Sequence, residues 1–189
     1  MSLFASVRVP LSGVLRLLRG DRSGLAMIGA DTREGWIASF LVPGLLVLPA
    51  YLYLSMPDLD VSDDPAHTLL LEALAYIVGL TLFPVAAHLL CTQWNKTRAW
   101  YDYVPAYNWA GVLQMAIYLP AAILSQSDAI DGMPLFVIGI AAVTAAVAIQ
   151  FRVAVVTLGI DRFQALSLVA LELALGAVLR QIVDRLQGG

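Results

Sequence analysis

Four ionisable side chains, Glu72, His88, Arg152 and Glu172, fall within long apolar stretches, accompanied by the amides Gln114 and Gln150. A charge held in hydrocarbon is costly, so each is a functional candidate by default. The chemistry such groups could do is proton or ion movement, which needs a chain of them crossing the whole bilayer; these four are scattered and make a sparse path. Arg152 and Glu172 would relieve each other's desolvation if they sat on adjacent antiparallel helices. Other chemistry has less to stand on. His67 and His88 share no HxxxH or Glu-x-x-His spacing, so neither a di-metal nor a haem site is expected. Cys91 is the single cysteine, which excludes an internal disulfide and a thiolate zinc cage. No glycine-rich phosphate loop follows a strand, and Ser39 and Ser167 lack a His and acid in array. The chain reads as non-catalytic, with no cofactor.

The elements that must position these residues are five apolar stretches, 36–56, 69–92, 104–124, 134–160 and 163–186, each near or above the ~20 residues that cross a ~30 Å hydrocarbon core. Composition agrees: 60% of residues are hydrophobic and 13% charged, with a mean hydropathy of +0.80. The expected fold class is an all-α integral membrane bundle of five transmembrane helices (35–189) preceded by an amphipathic interfacial segment (1–34). A net charge of -3 without a concentrated basic face argues against a nucleic-acid partner. The lipid bilayer is the first partner implied.

Orientation follows from where Arg and Lys sit, because cytoplasmic loops retain positive charge. Arg8, Arg16, Arg19, Arg22 and Arg33 precede the first stretch, Lys96 and Arg98 lie between the second and third, and Arg152 and Arg162 flank the join of the last two. The intervening loops carry Asp58, Asp60, Asp63 and Asp64, and then Asp128 and Asp131, with no Lys or Arg. The amino terminus is therefore expected in the cytoplasm, uncleaved, and the carboxyl terminus on the far side. Arg180 and Arg185 resist this arrangement. An alternative with four spans keeps the last segment as a cytoplasmic interfacial helix.

Val7, Leu11, Val14 and Leu18 recur at helical spacing before the first span, while Arg8, Ser12, Arg16 and Arg19 share another face. This reads as a helix in the inner interface, its guanidinium groups toward anionic headgroups. Trp94, Trp100, Tyr101, Tyr103, Tyr107 and Trp109 form the densest aromatic cluster, as a headgroup belt or as a docking surface built on Trp94, Trp100 and Tyr101. Within the spans, the pairs Ala141/Ala145 and Ala142/Ala146 of the fourth are expected to pack on Ala170 and Ala174 of the fifth. Pro43, Pro49, Pro84 and Pro120 should bend their helices.

The run Ala106-Tyr107-Asn108-Trp109-Ala110, with Ile149-Gln150-Phe151-Arg152-Val153-Ala154 and Leu158-Gly159, resembles small bacterial membrane proteins that are similar in turn to the Yip domain family. That resemblance implies five spans, a cytoplasmic amino terminus and residence in a bacterial inner membrane. It carries over no catalytic residue. The function expected is a scaffold or accessory subunit binding another membrane protein or lipid, through Arg8, Arg16, Arg19 and the Trp94, Trp100 and Tyr101 surface. The alternative is a small transporter or channel component using Glu72, Arg152 and Glu172.

Overall fold

A computed structural model of the chain describes residues 3–55, 63–126, 130 and 132–187, with side chains from residue 7 onward. Asp58, Asp60, Asp128 and Asp131, which entered the orientation argument, lie outside the described residues. So does Met56. Among the described residues all regular structure is helical: α1 (Leu3–Leu18), α2 (Gly24–Ile28), α3 (Arg33–Leu54), α4 (Pro65–Gln93), α5 (Thr97–Ser125), α6 (Gly132–Leu158) and α7 (Arg162–Gln187). The last five are each long and apolar enough to cross a membrane. The protein is an all-α, multi-pass membrane bundle.

The helix starts are written locally. Thr32 accepts from the Gly35 N–H at 3.1 Å, and Asp64, followed by Pro65 in the first turn, accepts from the His67 N–H at 3.1 Å. Asp161 and Gln164 form a reciprocal box at the head of α7, with bonds of 2.9 and 3.2 Å. Gly159, at φ +59°, ends α6 in the left-handed conformation that suits glycine. The third span begins seven residues before its apolar stretch, because the helix continues through the charged and aromatic interface from Thr97. Helices α3, α4 and α5 run unbroken through their prolines.

Successive spans alternate direction. One end of the bundle carries α1, α2 and the α4–α5 and α6–α7 joins; we call it the arm end, and the opposite one the far end. Helix α5 is central, packing most closely on α6 and α3, while α7 lies against α4 and α6. The expected seam between the fourth and fifth spans is therefore secondary. Ala142 is buried, but Ala141, Ala170 and Ala174 are exposed, because α6 turns its small residues toward α5 instead. Gln114 marks that contact, donating to the Ala146 carbonyl at 2.9 Å. Helix α7 runs the length of the bundle and lines its interior, which disfavours the four-span alternative.

The arm is docked. Val14 and Leu17 are fully buried against the core, with Val7, Leu11 and Leu18 beside them, while Arg8, Ser12, Arg16 and Arg19 are exposed as the periodicity expects. The short α2, which the periodicity does not reveal, crosses α1 at Gly13 and Gly24, where a Cβ on either glycine would run into the other's carbonyl oxygen. Three cationic side chains fasten this end: Arg152 donates to the Leu18 carbonyl (3.2 Å), Arg22 to Thr157 (3.1 Å) and Lys96 to Gly159 (2.9 Å). The last two satisfy carbonyls at the C-terminus of α6, where the helix dipole also favours cations.

Candidate functional site: a polar interior between the spans

Glu72 is fully buried, about 10 Å in from the far-end start of α4 at 1.5 Å per residue. Its Oε2 accepts from Tyr51 Oη (2.9 Å) and Ser55 Oγ (3.2 Å) of the α3 terminus. Its Oε1 accepts from Arg180 (3.2 Å) and Gln187 (3.0 Å) of α7. The Arg180 guanidinium also pairs with Asp184 at 2.8 Å, one turn on. This is a complete shell for a buried carboxylate, the state in which a charge is tolerated away from water. It also accounts for Arg180, which charge bias alone places awkwardly: its partner is Glu72. Antiparallel spacing is the signal that could have found the pair, since Pro65 to Glu72 and Arg180 to Gln187 are each seven residues from the far end.

A second cluster sits deeper, about 15 Å along α7 from the arm end. Glu172 Oε1 accepts from Tyr107 Oη (3.0 Å) of α5 and Gln150 Nε2 (3.1 Å) of α6. No Arg, Lys or His among the described residues lies within ion-pair distance of Glu172. The expected Arg152–Glu172 pair is not formed: Arg152 sits a turn nearer the arm end and turns outward to hold Leu18. Nearby, Asn108 donates to Ser39 Oγ at 3.3 Å, and Ser39 in turn donates to the Trp36 carbonyl at 2.7 Å.

Two cavities adjoin these clusters. The first, about 430 Å³, lies among α3, α4, α5 and α7 and is lined by Tyr51, Glu72, Tyr76, Tyr107 and Asn108. The second, about 630 Å³ and more open, lies among α5, α6 and α7 and is lined by Gln150, Glu172, Val143 and Leu173. Gly111, Gln114, Gly176 and Arg180 line both. Glycine serves here by leaving room: a Cβ at Gly111 or Gly176 would meet no atom within 4 Å.

Of the residues singled out from sequence, Glu72 and Glu172 reach this interior and His88 and Arg152 do not. His88 stands edge-on to Trp100, ring centroids 4.8 Å apart, toward the arm end. Trp94 and Trp100 are half-buried and packed on the core, and the Trp100 indole donates to the Pro84 carbonyl at 2.9 Å. Tyr101 is 53% exposed. Arg8, Arg16 and Arg19 are exposed on the arm. Among the described residues no group of three His, Cys, Asp or Glu side chains is placed to hold a metal ion. Cys91 is free and buried.

Fold and site together define a five-span membrane bundle with a charged, cavity-bearing interior. No family model, no curated protein and no solved structure matches the chain. The runs 106–110 and 149–154 lie largely in the interior: Ala106, Asn108, Trp109 and Ala110 are buried, and Tyr107 and Gln150 build the Glu172 cluster.

Proposed function

We propose that this protein is a non-catalytic membrane component that takes a polar or amphipathic ligand into its bundle, as a small transporter or binding subunit. One observation carries the reading: a fully buried carboxylate, Glu72, held by four donors beside a cavity of about 430 Å³ that is continuous in its lining with a second. Cavities of some 300–1,000 Å³, mostly apolar with a few convergent polar groups, are the usual form of a small-molecule site. Native mass spectrometry of the gently extracted chain tests it. A bound small molecule should survive in the wild type and be lost from Gly176→Phe, which fills the cavity, while Gly139→Phe, outside the lining of both cavities, keeps it. An identical adduct pattern in both variants, or none in the wild type, would reject the reading.

A second reading, the scaffold or accessory subunit, is favoured by the arm end. Two side-chain bonds to backbone carbonyls hold the arm so that Arg8, Arg16 and Arg19 are displayed at the end that also exposes Tyr101. We further propose that this end faces the cytoplasm of a bacterial inner membrane, since nine of the eleven Lys and Arg residues lie there and one of the other two, Arg180, is taken up by Glu72. On this reading the Yip-like resemblance describes architecture rather than task.

A further inference from the structure

We infer that the two adjoining cavities form one site for an amphiphile whose head is a protonated amine. The inference rests on the reading that the interior takes a ligand, and names that ligand's class.

Ser39 Oγ spends its only proton on the Trp36 carbonyl, so it must accept from Asn108, and the Asn108 amide is thereby oriented with Oδ1 away from it. Gln114 gives one N–H to a carbonyl, and Gln150 gives one to the Glu172 carboxylate. Each of the three amides therefore keeps an acceptor oxygen beside its remaining N–H. Asn108 and Gln150 are 6% and 2% exposed, and their oxygens are buried without a partner among the described residues while their side chains line the first and second cavity respectively. Buried polar atoms left in this state are rare and call for an explanation.

The hydroxyl donors around the first cavity, and Arg180, are committed elsewhere. Tyr51 and Ser55 point at Glu72, Tyr76 donates to the Gly44 carbonyl at 2.6 Å, Tyr107 points at Glu172, and Arg180 is engaged by Glu72 and Asp184. The lining thus combines two carboxylates with one guanidinium, together with three amide oxygens. An anionic head would meet like charge. A protonated amine supplies three N–H groups and the counter-charge that Glu172 lacks, and the tyrosine rings around the first cavity suit a cation as well. A hydrocarbon tail is implied by the second cavity, whose wall continues into Val143 and Leu173, exposed on the apolar surface.

The experiment uses the full chain in lipid nanodiscs with Cys91→Ser and Gly176→Cys, and Gly111→Cys in its place if the first does not assemble. Modification rates are compared for methyl, aminoethyl and sulfonatoethyl methanethiosulfonate, each normalised to its rate with free mercaptoethanol. The aminoethyl reagent should outpace the sulfonatoethyl reagent by about tenfold or more, the scale of one nearby unit charge in a partly buried site. Octylammonium should protect the cysteine, octanol and octanoate should not, and Glu172→Gln should bring the two charged reagents to similar rates. Equal rates in the parent, faster sulfonatoethyl reaction, or protection by octanoate would overturn the amine assignment and leave the ligand reading standing. Failure of the neutral methyl reagent at the cysteine of the variant that assembles would overturn both.

Discussion

At the scale of single residues, the Glu72–Arg180 pair is unequal. Glu72 is wholly buried, whereas the Arg180 side chain is 47% exposed and keeps Asp184 as a second partner. Arg180→Met should therefore cost about 3 kcal/mol, because it strands a buried carboxylate among neutral donors. Glu72→Gln should cost only about 1 kcal/mol, since the arginine retains Asp184. Unfolding in bicelles measures both; equal costs would mean that the pair is not the charge-bearing contact. Sequence shows that Glu72 is costly where it lies. It does not show which of eleven cations answers it, and Arg152 on paper was a partner only for Glu172.

Among elements, the arm is the part whose attachment depends on few bonds. Arg152→Ala or Arg22→Ala removes a side chain bound to a carbonyl, and each should speed amide exchange across α1 while leaving exchange within α4 and α5 unchanged. Gly24→Val should do the same more strongly, since its side chain would occupy the place of the Gly13 carbonyl. Slow exchange in α1 after these changes would show that the apolar face alone holds it. The turn after α1 has a pH-sensitive link as well. Asp21 accepts from Ser23 and lies 3.6 Å from Arg16, and these contacts, the Ser23 bonds foremost, hold its carboxyl below the ordinary value. The link is thus present above the usual carboxylate range and is lost as pH falls through the lowered value.

The whole bundle must cohere without a hydrophobic drive between its spans, since lipid tails are as apolar as the helix surfaces. Packing and interhelical hydrogen bonds remain, the latter worth on average about 0.6 kcal/mol each. Here they stitch every span to a neighbour: Glu72 joins α3, α4 and α7, Asn108 joins α5 to α3, Trp100 joins α5 to α4, Gln114 joins α5 to α6, and Glu172 joins α5, α6 and α7. Orientation is a property of this scale. With Cys91 replaced by serine, Tyr101→Cys should resist an impermeant thiol reagent in intact cells and react in inverted vesicles, while Gln126→Cys, at the opposite end, behaves the other way. The reverse pattern would invert the bundle.

Periodicity and hydropathy determined the membrane class, the five spans, and the amphipathic face of α1, because each depends only on which residues recur along one helix. The carboxylates' roles were decided in three dimensions. Charge bias could count Arg180 but could not see that two helices of opposite direction bring it level with Glu72. Small-residue spacing likewise marked α6 and α7 as able to pack closely, yet which helix α6 meets depended on how all five close around α5. The cavities are furthest from sequence of all, since a void is made by the side chains that fail to meet, and no single stretch of chain records that.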